Sequence, residues 1–285
     1  MRFLVVGCNG MAGHVISVYL KEQGHDVTGY ARSASKYVNT VIGDATDFDL
    51  LKTTILMGNY DSVINCVGLL NWFAENDHAA AVMLNGYLPH FLAKITENTN
   101  TQIIHMSTDC VFSGKTGGYT EDSFPDGTLF YDRSKAIGEL NDDKNITLRN
   151  SIIGPDIKKK GIGLLNWFMQ QKDSVNGFTG AIWTGQTTLQ LAKTMEQAAK
   201  LRAHGLYNMV PNESINKYEL LNLFNKYIRR EPIQIKPTDK FVTDKSLIRT
   251  KYEGFNYKIP GYERMIKEMG NWMRNHKEFY PHYDI

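Results

Sequence analysis

The sequence predicts an α/β fold in which a doubly wound parallel sheet is followed by a smaller α/β subdomain. Apolar, β-branched runs alternate with stretches of helical periodicity through the first half of the 285-residue chain, a pattern typical of βαβ units. Such units build parallel sheets with helices on both faces. The predicted strands are 2–7, 25–30, 39–44, 61–68 and 101–107.

Composition and charge argue against several function classes. Lys plus Arg total 32 and Asp plus Glu total 30, so the net charge of +2 gives no reason to expect nucleic acid or an anionic membrane as partner. No apolar run approaches the length of a membrane span. The three cysteines fit neither a disulfide framework nor a zinc site. We therefore expect a cytoplasmic protein that needs no metal for catalysis.

The first predicted strand ends in a glycine-rich turn that opens a helix. Gly7, Gly10 and Gly13 are spaced three residues apart in VVGCNGMAGHV. The first glycine permits a tight turn, the second lets the backbone approach a pyrophosphate, and the third allows close helix–strand packing. The helix N-terminus attracts negative charge. The stretch predicts a Rossmann dinucleotide site, to which Asn9 and Met11 are expected to contribute.

The end of the second predicted strand bears on the choice of cofactor. NAD sites usually place a carboxylate there to bind the adenosine ribose, whereas this chain has Arg32 and Ser33 in GYARS. A guanidinium suits a 2′-phosphate, so NADP is favoured over NAD. An exposed arginine with no ligand is the alternative.

Further cofactor contacts are expected after the third and fourth predicted strands, because sheets of this kind bind ligands at their carboxyl edge. The cysteines near that edge are more ordinarily buried as small apolar side chains than used for chemistry. The candidates at these two strand ends are Asp44, Ala45, Cys66 and Gly68.

The fifth predicted strand and the helix after it carry candidate catalytic groups. The strand ends at Ser107 and Thr108, and Tyr131 follows four residues before Lys135. Residues four apart share one face of a helix, and a lysine there would lower the phenol pKa from about 10. A chain of this composition contains roughly one Tyr-x-x-x-Lys by chance. The spacing alone therefore leaves an ordinary amphipathic helix open.

Several motifs, in chain order, resemble those of one family and cover most of residues 1–155. Together they resemble the extended short-chain dehydrogenases/reductases, and more narrowly the dTDP-4-dehydrorhamnose reductase family. The resemblance implies NADPH-dependent reduction of the 4-keto group of a nucleotide-linked 6-deoxy sugar, in surface-polysaccharide biosynthesis. The motifs are GCNGMAG, GDATD, MLNGYLPHFLA, STDCVFSG, GGYTEDSFP, YDRSKAIGE and TLRNSIIG.

The resemblance also implies a role for individual residues. Tyr131 would donate the proton to the substrate. Lys135 would lower the pKa of the Tyr131 phenol and bind the nicotinamide ribose, and Thr108 would hydrogen-bond the substrate carbonyl. Asn85 would face the cofactor. The substrate is expected to contact Asp109, Phe112, Asn150 and Trp183.

Departures from the family pattern leave alternatives open. Leu70 stands where the family has a threonine beside the substrate, and Asp132 replaces a glycine in YDRSK. Cys110 follows Asp109, so the glutamate that related dehydratases use for elimination is absent. Reduction is favoured. The alternatives are reduction of a UDP-linked N-acetylated 4-keto-6-deoxy sugar, and a non-catalytic NADP-binding regulatory subunit.

The second half has longer loops and more aromatic residues. We predict an NADP-binding domain over 1–155 and a mainly substrate-binding subdomain over 156–285, with segments returning to the first domain. A homodimer is one of the oligomeric states that the sequence allows. Helices are predicted at 188–205, 216–230 and 262–279, and a short strand at 206–210.

Binding a nucleotide sugar requires stacking on its base and positive charge for its diphosphate. Arg149 and Phe178 are candidates for these contacts, alongside Trp183. The lysine run at 158–160 is interpreted as a solvated loop, because runs of like charge usually are.

Overall fold

The computed structural model describes residues 1–285. Its strands are β1 (Arg2–Val6), β2 (Asp26–Ala31), β3 (Asn39–Ile42), β4 (Ser62–Asn65), β5 (Gln102–Met106), β6 (Ile146–Arg149), β7 (Ser151–Ile153), β8 (Ser174–Phe178), β9 (Ala181–Trp183), β10 (Gly185–Thr187), β11 (Gly205–Asn208), β12 (Ile215–Asn216), β13 (Gln234–Thr238) and β14 (Thr243–Asp244).

Helices occupy most of the connections between these strands. They are α1 (Met11–Glu22), α2 (Phe48–Gly58), α3 (Asn71–Asn76), α4 (His78–Ala81), α5 (Leu88–Thr96), α6 (Phe130–Ile137), α7 (Leu164–Met169), α8 (Thr188–Leu201), α9 (Lys217–Tyr227) and α10 (Tyr262–Asn275), with a π-helical segment Val82–Tyr87 and 3₁₀ turns at Asp109–Val111 and Lys277–Phe279. No helix is both long and apolar enough to cross a lipid bilayer.

Seven strands form one parallel sheet in the order β11-β6-β5-β4-β1-β2-β3. The strand order reverses at β1, which pairs with β2 on one side and β4 on the other. A reversal of this kind opens a crevice at the carboxyl ends of the strands. The predicted doubly wound α/β class is confirmed, and all five predicted strands belong to this sheet.

Alternate residues of β1 show how the sheet is buried on both faces. Phe3 and Val5 belong to the core beneath α1 and α8, while Leu4 and Val6 belong to the core beneath α2 and α5. This alternation follows from the period of two in a strand. Because helices cover both faces of the sheet, the β1 residues after Arg2 are all apolar.

The helical stretch between β4 and β5 is not a regular α-helix. It runs from α4 through the π-helical segment Val82–Tyr87 into α5. Pro89, at the start of α5, has no N–H and its ring crowds the carbonyl four residues earlier. The wider π-turn accommodates this proline without ending the helix.

The second half adds a separate apolar core and returns to the large sheet. Phe168 of α7, Phe224 of α9 and Met269 of α10 are buried together. Helices α8, α9 and α10 lie where the sequence predicts them, each ending a few residues early. The predicted strand at 206–210 is β11, which pairs with β6 at the sheet edge. The domain division near residue 155 stays a prediction.

Candidate active site

A cavity of about 330 Å³ opens at the strand-order reversal, among the carboxyl ends of β1 to β4. Most residues predicted to bind a dinucleotide lie on the wall of this cavity. Their binding of a dinucleotide stays a prediction. They are Gly7, Asn9, Gly10, Arg32, Ser33, Asp44, Ala45, Cys66 and Gly68.

Backbone contacts shape the glycine turn of this cavity. Gly7 has a φ of +86°, a left-handed conformation that costs other residues free energy. A Cβ on Gly13 would lie 2.1 Å from the Gly7 carbonyl oxygen, so only glycine lets α1 approach β1 this closely. Helix α1 begins after Gly10 with no side chain capping its first N–H groups. These N–H groups are free to bind an anion.

The end of the cavity formed by β2 and β3 carries one cation and one carboxylate. Asn9 Nδ2 donates to the Ser33 carbonyl at 2.9 Å, which joins the two loops there. Asp44 accepts bonds from the N–H and hydroxyl of Thr46 at 2.9 and 2.7 Å. These bonds, with the Arg32 guanidinium, hold the pKa of Asp44 below its usual range. Arg32 remains exposed on the cavity wall.

Asn85, predicted to face the cofactor, does not line the cavity. Its Oδ1 accepts from the Leu69 N–H at 2.8 Å, and its Nδ2 donates to the Leu69 carbonyl and the Ser134 hydroxyl at 2.9 and 3.0 Å. Its side chain is fully buried. Asn85 therefore acts indirectly, by fixing Leu69, which does line the cavity, to α6. Met11 and Gly13 in α1 are also absent from the wall.

Thr108, Tyr131 and Lys135 come together at the carboxyl end of β5. The Thr108 hydroxyl oxygen accepts from the Cys110 N–H at 3.1 Å and so caps the 3₁₀ turn. Lys135 Nζ donates to the Met106 carbonyl at 2.8 Å. None of the three side chains is more than 8% exposed. The structure brings together the three residues predicted to be catalytic, and their roles stay predictions.

Burial determines the protonation of this group. It raises the pKa of the Tyr131 phenol; the Cys110 thiol raises this pKa further and the Thr108 hydroxyl lowers it. The Tyr131 pKa therefore lies above its ordinary value, because burial outweighs the Thr108 hydroxyl; the effect of Lys135 on the phenol stays a prediction. Burial lowers the pKa of Lys135 to about 8, against the opposing Glu139 carboxylate. At neutral pH the phenol keeps its proton.

Cys66 connects the cavity with the candidate catalytic group. Cys66 lies on the cavity wall. Burial raises its pKa to about 12, and the nearby Lys135 ammonium lowers it. The raised pKa agrees with the prediction that the cysteine acts as a small apolar side chain.

Helix α6, which carries Tyr131 and Lys135, is held at its first turn by charged side chains. The Glu75 carboxylate accepts from the Tyr131 N–H at 3.0 Å, and the Asp132 carboxylate accepts from the Leu129 N–H at 3.3 Å. Arg133 Nε donates to the Thr128 carbonyl at 3.0 Å. The Asp-Arg insert of YDRSK therefore fixes the loop that leads into the helix, a role the sequence alone did not indicate.

A buried ion pair fixes the other end of the same helix. Arg149 Nε donates to Glu139 Oε1 at 2.8 Å, and the Ser107 hydroxyl donates to the same oxygen at 2.6 Å. Both charged side chains are at most 7% exposed. Arg149 is thus committed to Glu139, which contradicts its proposed contact with a substrate diphosphate.

Next to Thr108, and outside the cavity lining, lies a charged cluster whose lysines sequence reasoning missed. Lys217, the first residue of α9, has its Nζ 5.2 Å from the centre of the Trp183 ring and forms no ion pair. Burial lowers its pKa to about 8, while the Asp109 carboxylate raises it. Asp109 also interacts with Lys245, and burial raises the Asp109 pKa. A cation at a helix N-terminus opposes the helix dipole, which is a signal in the sequence that could have identified Lys217.

The predicted substrate residues fare differently from one another. Phe112 is fully buried, with its ring 4.2 Å from that of Tyr119, so its side chain cannot contact a substrate in this arrangement. Asn150 is also buried, and its Nδ2 donates to the Ser151 carbonyl at 3.1 Å. Trp183 is 4% exposed and packs on Tyr262, so its main contacts are within the core. Asp109 alone lies in the charged cluster.

No three His, Cys, Asp or Glu side chains are grouped so that they could hold a metal ion.

Phe178, proposed for base stacking, is exposed on β8 and packs against Phe241 at 5.5 Å between ring centres.

A doubly wound sheet with a Tyr-x-x-x-Lys helix beside a glycine-turn cavity defines the extended short-chain dehydrogenases/reductases. Within this class, the chain belongs to the family described as RmlD substrate binding domain, which matches residues 1–256. The predicted family is thereby confirmed.

Some curated relatives match about half of this chain at over 30% identity, and others match most of it at lower identity. The probable low-salt glycan biosynthesis reductase Agl14 of Haloferax volcanii is 34% identical over 143 residues, 49% of this chain and 48% of that protein. The dTDP-4-dehydrorhamnose reductase of Mycobacterium tuberculosis is 31% identical over 146 residues, 48% of this chain and 44% of the reductase. The matched region thus spans about half the length of these relatives. Methionine adenosyltransferase 2 subunit beta of Xenopus tropicalis is 24% identical over 237 residues, 77% of this chain and 70% of that subunit.

Solved structures support the fold. A Bacillus anthracis dTDP-4-dehydrorhamnose reductase in complex with NADP aligns with a TM-score of 0.78 and 18% identity, covering 94% of this chain and 98% of the reductase.

Proposed function

We propose that the protein is an NADPH-dependent reductase of the 4-keto group of a nucleotide-linked 6-deoxy sugar, serving surface-polysaccharide synthesis in the cytoplasm. The observation that carries this proposal is the meeting of Thr108, Tyr131 and Lys135 beside the glycine-turn cavity. The reductases among its relatives support the reaction class.

The residues of the cavity fit a phosphorylated dinucleotide. The uncapped N–H groups at the start of α1 would hold the pyrophosphate, and Arg32 would hold the 2′-phosphate. Bound NADPH supplies a hydride. The Lys135 side chain, next to Cys66 on the cavity wall, would contact the ribose beside the reacting ring.

The protein would supply the proton. As the carbonyl carbon accepts hydride, the Tyr131 phenol gives its proton to the carbonyl oxygen, and the ketone becomes an alcohol. Its raised pKa keeps the proton in place until then. The Lys135 ammonium stabilises the phenolate that remains. The Thr108 hydroxyl would donate a hydrogen bond to the same oxygen as it gains negative charge.

The charged cluster next to Thr108 fits the rest of the substrate. The charges of Lys217 and Lys245 both act on Asp109, whose carboxylate accepts from the neighbouring Thr108 hydroxyl at 3.1 Å. Two ammonium groups there would bind the diphosphate of a nucleotide sugar. Lys217 would gain the partner that it lacks within the protein, which would offset its unfavourable burial.

The decisive experiment follows NADPH oxidation with dTDP- and UDP-linked 4-keto-6-deoxy sugars. We expect Tyr131→Phe to lower kcat by about 10²- to 10⁴-fold, because the substitution removes the proton donor. Tyr207→Phe is the matched control, since this buried tyrosine donates only to the Glu253 carbonyl at 2.8 Å, outside the cavity. Turnover by Tyr131→Phe at the wild-type rate would refute the mechanism. Comparing the two nucleotides tests the UDP-linked N-acetylated alternative when the corresponding sugar is included.

A second candidate is a non-catalytic, NADP-binding regulatory subunit. It is favoured by the match to methionine adenosyltransferase 2 subunit beta, which covers more of the chain than the first two relatives do. The complete Thr108, Tyr131 and Lys135 set argues for catalysis, because a binding subunit has no need of a proton donor. Tight NADP binding without turnover of any keto sugar would favour this second role. A homodimer also stays open.

A further inference from the structure

One of three consecutive lysines lies on the wall of the cofactor cavity. Lys158, Lys159 and Lys160 form a charge run in the sequence, and all three are exposed. Lys158 lines the cavity together with Gly10 and Arg32, whereas its two neighbours do not. The run is an exposed loop, as the sequence predicts, and Lys158 alone of the three also lies on the cavity wall.

Hydrogen bonds fix the backbone of the loop that carries Lys158. The Asp156 carboxylate accepts from the Lys158 N–H at 2.8 Å, and the Gly161 N–H donates to the Lys158 carbonyl at 2.9 Å. Asn166 Nδ2 donates to the carbonyls of Lys159 and Gly161 at 3.2 and 2.6 Å. The chain on both sides of Lys158 is therefore fixed, so its Cβ has a defined position beside the cavity.

A buried tyrosine from the C-terminal segment joins both ends of this loop. The Tyr283 hydroxyl donates to Asn166 Oδ1 at 2.7 Å and accepts from the Asp156 N–H at 3.0 Å. Tyr283 is 7% exposed, and burial raises its pKa above the ordinary value. The loop is thus attached to the core of the second half.

The loop approaches the start of α1. A Cβ on Gly163 would lie 3.0 Å from Met11 Sδ, and Met11 is the first residue of that helix. The loop that carries Lys158 therefore adjoins the first residue of α1, the helix whose first N–H groups have no side-chain cap. Arg32 directly follows β2, next to Ser33, whose carbonyl accepts from Asn9 at 2.9 Å.

We propose that Lys158 binds the pyrophosphate of the dinucleotide, opposite the N-terminus of α1. This inference rests on the dinucleotide site of the proposed function and adds a residue from the second half of the chain to it. The helix N–H groups and the Lys158 ammonium hold the pyrophosphate from two sides. Because NAD and NADP share this group, Lys158 strengthens both complexes equally, while Arg32 strengthens only the NADP complex.

The test measures the dissociation constants of NADP⁺ and NAD⁺ by calorimetric titration, without any sugar present. Lys158→Ala is expected to weaken both by the same factor, about tenfold, because it removes one charge-assisted bond. Lys159→Ala and Lys160→Ala are the matched controls, with changes under about twofold because screening weakens charges outside the site. Arg32→Ala is expected to weaken NADP⁺ alone. Melting temperatures confirm that each variant is folded.

The other outcomes distinguish a failure of this inference from a failure of the proposed function. Lys158→Ala indistinguishable from its two neighbours would remove Lys158 from the site. A loss confined to NADP⁺ would assign it to the 2′-phosphate and contradict the pyrophosphate contact. If the wild-type protein binds neither dinucleotide, the proposed function falls together with this inference. If both dinucleotides bind as expected but no keto sugar is reduced, Lys158 keeps its role and only the proposed reduction fails.

Discussion

The two sides of the candidate catalytic group are built differently. The cavity side is shaped by backbone: a left-handed Gly7, a close approach at Gly13 and uncapped helix N–H groups. The other side is shaped by charge, with Lys217 and Lys245 acting on a buried Asp109. Backbone geometry is specified within a few residues of one turn. The charged cluster draws on residues more than a hundred positions apart.

This difference matters for how each side responds to change. A rigid backbone turn tolerates little added volume, because atoms in its close contacts cannot move apart independently. A cluster of long charged side chains tolerates changes of shape but depends on protonation. Damage to one side should therefore leave the other side intact.

Among the tests of this comparison, the largest effect is expected from Gly13→Ala. The added Cβ would meet three backbone atoms, the nearest being the Gly7 oxygen at 2.1 Å. We expect the free energy of unfolding to fall by about 1–3 kcal/mol, and affinity for NADP⁺ to fall by up to about a hundredfold. Thermal melting and calorimetric titration measure the two.

The matched control for this change is Gly86→Ala. Gly86 is also a buried helical glycine, but its nearest neighbour would be 3.5 Å from the new Cβ, an ordinary contact. Near-normal cofactor affinity is expected. Equal losses from the two variants would show that the glycine turn has no special role.

An intermediate effect is expected from Lys217→Met, which keeps length and removes charge. The dissociation constants of dTDP and UDP should rise about tenfold because a charge-assisted bond is lost, with NADP⁺ affinity unchanged. Lys226→Met on the same helix is the control, since Lys226 is exposed and pairs with Glu263 at 2.7 Å. Thymidine and uridine, which lack the diphosphate, should bind both variants as they bind the wild type. A parallel loss of NADP⁺ affinity would contradict the separation of the two sides.

The smallest effect is expected from pH. Burial lowers the pKa of Lys217 to about 8, and an anion binds the protonated form, so affinity is full below pH 8 and decreases as the pH rises through it. If the Lys217 charge contributes a factor of ten to dTDP affinity, the affinity should fall by about fivefold between pH 7 and 9. The neighbouring Cys110 thiol, whose pKa burial raises to about 12, stays neutral in this range.

Lys217→Met should remove this pH dependence while leaving that of any other group in place. An identical pH profile for the wild type and the variant would show that Lys217 does not contact the diphosphate.

Local patterns were sufficient to predict the doubly wound sheet and the glycine turn and to make Thr108, Tyr131 and Lys135 candidates, whereas the choice of these three as catalytic came from the resemblance to a family. Each depends on the period of an apolar run, on residues at a strand end, or on spacing along one helix. Their spacing also predicted that Tyr131 and Lys135 lie on one face of a helix. It did not predict the direction in which the pKa of Tyr131 is shifted. This direction depends on how much protein surrounds the phenol, and burial is a property of the packed chain.

The sequence by itself determined the sheet, its order of elements and the edge at which function is concentrated, because hydrophobic period and glycine conformation act over short distances. Only the tertiary structure distinguished Lys158 from Lys159 and committed Arg149 to Glu139. It also assigned Asp132 to the first turn of α6. The physical reason is that charged side chains are chemically alike in a sequence. Their roles depend on which groups the folded chain brings within hydrogen-bonding distance.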